Sequence, residues 1–373
     1  MRRNRLLVRS FVLFGLALTA VGCGSNDPGG KGGAGPAGTA EIKGVGATFV
    51  QPIMKDWTEK YLKETDDKVR VNYDAKGSGA GISAMTTQES DFGCSDAPMK
   101  KAEMEAAAAK SGPVLHVPLV VGAVVPVYTL NAVDKSKPLV FSGPVLADIF
   151  TGKITKWNDD KLKALNPGVS LPDLGIKPVY RADKSGTSFI FSSYLGKVSP
   201  EFKTAIPAST EPAWPKEVGS REQQSKGVAD AVARADGAIG YVELTFALDN
   251  KISFGMVQNR AGKPVLATLD AITKAAAAAM SGKPTAEPYS LHELTYDLTD
   301  AAGDESYPIA AMSFAVLYKK QPEGKGKAVV EFLRWAATSE KGQKMAGIRN
   351  FAPLPPELRA KANDLLGTVE YVK

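Results

Sequence analysis

From Thr39 onward the chain alternates short apolar stretches with amphipathic ones of helical period, and this alternation restricts it to an α/β architecture. Residues 51–64 place Ile53, Met54, Trp57, Tyr61 and Leu62 on one helical face, while Val69-Arg70-Val71-Asn72-Tyr73 alternates like a strand. The pattern predicts further helices over 102–110, 142–150, 159–165, 188–195, 227–234, 266–280 and 325–338, and a short last one after Pro353-Leu354-Pro355. Strands are predicted over 177–180, 238–242 and 309–318. The run 114–130 is almost continuously apolar, broken by Pro118, Gly122 and Pro126. It reads as two buried strands with a bend, a natural crossing point between two lobes. At 373 residues the chain is long enough to give each lobe its own core.

The front end belongs to a different class. Arg2, Arg3, Arg5 and Arg9 precede an apolar stretch over 11–21, followed by Gly22-Cys23. That is a basic region, a short apolar region and small residues before a cysteine, the pattern of a lipoprotein export signal. The apolar run is too short for a comfortable transmembrane helix. Residues 1–22 are therefore expected to be removed, Cys23 to be acylated, and residues 23–40, rich in Gly, Ser, Pro and Ala, to act as a flexible tether. The protein is then exported and anchored to a membrane by lipid. The formal charge of +6 owes four units to the arginines of the leader; the remaining 42 basic side chains face 40 acidic ones, which gives no reason to expect a nucleic-acid partner. Only Cys94 is left as a thiol, so no internal disulfide can form.

Four segments combine small residues with hydroxyls near predicted helix starts: Gly44-Val45-Gly46-Ala47-Thr48-Phe49, Gly77-Ser78-Gly79-Ala80-Gly81, Ser95-Asp96-Ala97-Pro98, and Arg181-Ala182-Asp183-Lys184-Ser185-Gly186-Thr187-Ser188. A helix N-terminus carries unsatisfied N–H groups and partial positive charge, glycine permits close backbone approach, and Ser or Thr adds donors. Taken singly, each segment is ordinary capping and turn chemistry. Taken together, they offer the converging donors that a tetrahedral oxyanion needs. Arg181 could fork two of its oxygens while Asp183 orients the guanidinium, although a surface ion pair between the two is the simpler reading of that pair alone. Asp96 reads either as a helix cap or as an acceptor. A carboxylate in an anion pocket repels a fully ionised guest such as sulfate but accepts a hydrogen bond from one that keeps a P–OH. The residue patterns leave these two readings open.

These segments resemble the periplasmic phosphate-binding proteins of ABC-type uptake systems. The likeness extends through Asp91-Phe92-Gly93-Cys94, Asp148-Ile149-Phe150-Thr151-Gly152-Lys153-Ile154 with Trp157-Asn158, and Gly237-Ala238-Ile239-Gly240-Tyr241-Val242, in order along nearly the whole mature chain. The resemblance implies a type II periplasmic-binding-protein fold, with lobe I over 41–120 and 308–373, lobe II over 121–307, two crossovers, and a ligand cleft between them. It implies that Thr48, Phe49 (through its backbone), Ser78, Asp96, Arg181, Ser185, Gly186 and Thr187 bind inorganic phosphate, with Asp183 holding Arg181. It also implies delivery to a transporter permease, without chemistry on the ligand. A monomer without cofactor or metal is expected. Gly79 departs from the family, standing where a second serine often follows Ser78, and Cys94 stands where alanine or glycine is usual.

Other functions find little support. The chain has two histidines, His116 in an apolar strand and His292, expected on a solvated face; a nucleophilic triad or metal site has few ways to form from them. Neither a G-x-S-x-G elbow nor a GxxxxGK[ST] loop occurs. Trp157, Trp214 and the proline-rich 207–215 segment read as packing and turn residues rather than a partner surface.

Overall fold

The structure, a computed structural model, describes residues 39–282 and 286–373; the expected leader and Cys23 lie outside the described residues. Nine strands form the main sheet among them: β1 (Ala40–Gly46), β2 (Val69–Ala75), β3 (Phe92–Ser95), β4 (Val114–Tyr128), β5 (Lys177–Arg181), β6 (Ser220–Glu222), β7 (Ala238–Glu243), β8 (Ser253–Phe254) and β9 (Ala310–Tyr318). Their order is β2-β1-β3-β9-β4-β7-β5-β6, with β8 added against β4. β1 lies parallel between β2 and β3, and β5 lies parallel between β6 and β7. β4 and β9 run antiparallel to their neighbours at the centre. Mixed parallel halves around a shared antiparallel centre, flanked by helices, make the curled sheet of a type II periplasmic-binding-protein fold.

β4 corrects one expectation. The apolar run is a single strand, not two: its residues from Val114 to Ala123 pair with β9, and those from Val124 to Tyr128 pair with β7. Two prolines suggested a break, because proline removes a ladder donor. The ladder absorbs Pro118 at a register shift between Ser313 and Phe314 of β9, so the interruption becomes a bulge and the strand continues. One strand thus belongs to both halves of the sheet.

Helices follow the strands where the apolar periodicity placed them. α1 (Gln51–Glu64) buries Ile53, Met54, Trp57 and Tyr61, and the Trp57 indole donates to Gly342 O at 2.9 Å. α3 (Lys101–Ser111) flanks the same half, as does α2 (Ser78–Thr87), which no apolar periodicity marked. In the second half, α4 (Gly186–Val198) begins two residues before its expected start, and α5 (Gln224–Arg234) three residues before. Both early starts matter below. Trp157 and Trp214 are buried in the aromatic core of this half, Trp214 against Tyr180 and Tyr241.

His292 is not on a solvated face. It is half-buried, its ring centroid 3.6 Å from that of His116, and the two imidazoles hold the main chain of one residue: Met99 N donates to His116 Nε2 at 3.2 Å, and His292 Nε2 lies 2.9 Å from Met99 O. Burial, and then the neighbouring ring, keep His116 well below the usual imidazole range. Both rings are therefore neutral hydrogen-bonding groups that fix the loop between β3 and α3.

Candidate functional site

The parallel strands of both halves end on the same crevice, the place where open α/β sheets bind ligands. β1 leads through Gly46 to Thr48, β2 to Ser78, β3 to Asp96, β5 ends on Arg181, and β6 leads to Ser225. Four helices start there. α1 and α2 have no side-chain cap, α5 has none from its own N-cap residue although Asp183 accepts from Gln224 N, and the fourth is capped by Ser185. Elsewhere both capped starts, as at Ser142 and Ser339, and uncapped ones, as at Pro322 and Pro355, occur. The uncapped starts leave N–H donors and the positive end of each helix facing the crevice. Fold and function pull apart at these termini, since a cap would strengthen the helix and consume the donors.

All four sequence segments converge here. Gly46, at φ +143°, lets the backbone pass so close to Cys94 that a Cβ would lie 2.1 Å from its carbonyl oxygen. The turn delivers Thr48, whose Oγ1 is 2.8 Å from Ser225 Oγ on the other half. Phe49 is fully buried against Phe351, so only its main chain can face the crevice. Ser78 opens α2, and its hydroxyl lies 3.2 Å from Asp96 Oδ2 and accepts from Asp96 N at 3.1 Å. Cys94 is a buried free thiol pushed far up by burial, so it is inert filler beneath the site.

Asp96 is not a helix cap. α3 begins five residues beyond it, at Lys101, and the main-chain N–H of its N-cap Lys100 is taken by the Glu103 carboxylate at 2.8 Å, which removes one of the two readings left open. The carboxylate is 2% exposed; Ser313 of β9 donates to Oδ1 at 2.6 Å and Ser78 reaches Oδ2. Burial pushes it up to about 7, against the lowering effects of the two serines and of the Arg181 charge.

Arg181 and Asp183 do pair, but not on the surface: their side chains are 1% and 11% exposed. Asp183 accepts from Nε at 2.7 Å and from Nη2 at 2.5 Å, and also from the amide of Gln224 at 2.9 Å. Burial alone would raise Asp183, yet the Arg181 fork and the amide hold it below the usual carboxylate range. Nη1 donates to Ser225 at 3.2 Å. Of the five guanidinium N–H groups three are thus engaged, and one on Nη1 and one on Nη2 remain, enough to fork two oxygens.

The second half completes the ring at α4. Ser185 is its N-cap, accepting from Ser188 N at 3.2 Å, which leaves the hydroxyl proton free to donate. Gly186 and Thr187 form the first turn. Thr187 Oγ1 is buried without a hydrogen-bond partner among the described residues, a state that costs about 1–3 kcal/mol unless a ligand satisfies it. The halves touch here: Gly79 N donates to Lys184 O at 2.9 Å, and a Cβ on Gly186 would lie 2.3 Å from Ser78 Oγ and 2.4 Å from Asp96 Oδ2. A Cβ at Gly79 would sit 2.3 Å from Lys184 Cβ, so a serine here would need the Lys184 side chain to move.

Two residues of the site escaped the sequence reading. Ser225 fell outside because α5 was expected to start at Gly227, after it. Ser313 lies inside a strand buried along its whole length, and its only signal is a lone hydroxyl among apolar neighbours.

Comparison with known proteins gives the family and the fold. The family model of the PBP superfamily domain matches residues 32–340. The phosphate-binding protein PstS of Xylella fastidiosa (strain 9a5c) is 39% identical over 321 residues, covering 86% of this chain and 83% of its own. That of Pasteurella multocida is 38% identical, covering 86% and 88%. The crystal structure of a phosphate-binding protein from Stenotrophomonas maltophilia has the same fold, with a TM-score of 0.60 at 18% identity over 87% of this chain and 93% of that one. The chain belongs to the PstS family of phosphate-binding proteins within that superfamily.

Proposed function

We propose that this protein captures inorganic phosphate in the crevice between the two halves of its sheet and delivers it to the permease of an ABC transporter, with no chemistry on the ligand. Arg181, the hydroxyls of Thr48, Ser185 and Thr187, and the main-chain N–H groups of Phe49, Gly186 and their neighbours donate to the anion. Ser78 joins them by turning its proton from Asp96 Oδ2, which then accepts from the P–OH. The observation that carries the reading is Asp96, a buried carboxylate among donors, beside a guanidinium already neutralised by Asp183. Before any guest arrives, the pocket's formal charge is negative. Affinity must then come from hydrogen bonds and helix termini rather than charge cancellation, and the guest must bring a proton.

The halves correspond to lobe I (41–120 with 308–373) and lobe II (121–307), which close on the anion and open about β4 and the return segment that leads into β9. No helix among the described residues is long and apolar enough to cross a membrane. The proposed receptor is an exported monomer held at the membrane by acylated Cys23, a reading that rests on the sequence of its first 23 residues. Calorimetry of the segment from Gly38 onward, one compact unit, tests the ligand: heat is expected with phosphate and arsenate and none with sulfate. Equal affinity for sulfate would remove the role given to Asp96.

Gly186→Ala tests the closed geometry. Alanine suits a helix better than glycine by about 0.5–1 kcal/mol, so the thermal midpoint should hold or rise. The added methyl would wedge against Ser78 and Asp96, and phosphate affinity should fall about 100-fold or more. Affinity within fivefold of wild type would mean that this contact is not part of the binding state.

A further inference from the structure

Thr48 and Ser225 stand 177 residues apart in sequence, on opposite halves of the sheet, with their hydroxyls 2.8 Å apart. Both side chains are buried, Thr48 2% exposed and Ser225 0%. Ser225 also receives Arg181 Nη1 at 3.2 Å. A guanidinium can only donate, so Ser225 Oγ is the acceptor of that bond. A serine oxygen can accept twice, so the pair could run either way; accepting from a cation makes the Ser225 O–H the stronger donor, which favours Ser225 donating to Thr48 Oγ1. Thr48, having accepted, keeps its own proton for the crevice. The bonds then run in one direction, from Arg181 through Ser225 to Thr48, and a chain that begins on a cation polarises each member after it.

We propose that Ser225 is a positioning residue for phosphate capture: it ties the two halves together in the closed state and turns Thr48 into a donor toward the bound anion. This rests on the phosphate reading above. In this arrangement Ser225 does not touch the ligand, and its effect passes through Thr48. Loss of the Ser225 hydroxyl would free Thr48 to rotate and would leave one Arg181 N–H without its acceptor, so the closed state is weakened from both sides.

The test is a double-mutant cycle on phosphate binding, read as dissociation constant and release rate, with Ser225→Ala, Thr48→Val and the double variant, and thermal unfolding as the check on folding. Ser225→Ala is expected to bind about tenfold more weakly, the worth of one net hydrogen bond, with most of the change in a faster release. The double variant should lose clearly less than the sum of the two single losses, because the part of the Ser225 effect that passes through Thr48 is already gone in Thr48→Val. Ser225→Thr, which restores the hydroxyl, should return the release rate to within about twofold of wild type. If Ser225→Ala does not fold, Ser225→Cys, close in size but a poor donor, carries the same expectation. Wild-type affinity and release in Ser225→Ala, or fully additive losses in the double variant, would overturn the proposal while leaving phosphate binding intact. No phosphate binding by the wild type would overturn the functional reading, and this proposal with it.

Discussion

Replacing Arg181 by alanine is expected to lower phosphate affinity about a thousandfold. The substitution removes two charge-assisted donors aimed at the anion, each worth about 1.5–3 kcal/mol. It also strips Asp183 of its partner, and breaking a buried pair from one side costs about 3–5 kcal/mol because a bare charge remains. That charge would stand beside an incoming anion. The two contributions separate experimentally. Adding Asp183→Asn to Arg181→Ala should recover much of the lost thermal stability but little of the affinity. Arg181→Lys should also bind poorly, since an ammonium cannot satisfy Asp183, Ser225 and two ligand oxygens from one planar fork. Titration calorimetry of the variants checks this, and a loss below tenfold in Arg181→Ala would mean the guanidinium does not meet the ligand.

Exchanging Asp96 for asparagine should collapse discrimination between phosphate and sulfate. A site built around a specific donor of its guest rejects the analogue lacking it by ~10⁴–10⁵. On the proposed reading the rejecting element of the wild type is Asp96 Oδ2, held only by the longer Ser78 bond, since Oδ1 is taken by Ser313. The asparagine oxygen can keep the Ser313 bond, which directs the amide N–H groups into the crevice, where they suit a fully ionised oxyanion. Phosphate affinity should drop about 10–100-fold and sulfate should become measurable, bringing the ratio below about 100. Paired titrations at equal ionic strength decide this. A variant that still shows no sulfate binding would place the discrimination elsewhere.

Much of the fold was legible because its elements are strongly periodic. α1 matched residue for residue, since its apolar face and first-turn proline mark both register and start. Where the reading failed, a long-range contact had overruled a local signal. The prolines of β4 argue for a break until β9 and β7 are seen to pair along it. α4 and α5 start earlier than glycine, threonine and glutamine suggest, because their first turns face the crevice and are held by Ser185, Asp183 and Tyr241 from outside the helix. The four loop segments were visible for what they are, runs of small residues and hydroxyls. Ser225 and Ser313 were not, as each depends on partners more than 40 residues away in the chain. His292 was misplaced for the same reason: nothing near it in sequence announces His116.

The charge on Asp96 has a consequence for how such a receptor reports its state. A carboxyl pushed up to about 7 by enclosure has an ordinary value once exposed, so shutting without cargo means burying a bare anion or drawing a proton from solution. At neutral pH and above, that toll falls on the vacant molecule alone, because an occupied one shuts on a guest whose own proton satisfies the oxygen. On the proposed reading, the shut shape that a transporter meets would then itself signal a loaded carrier.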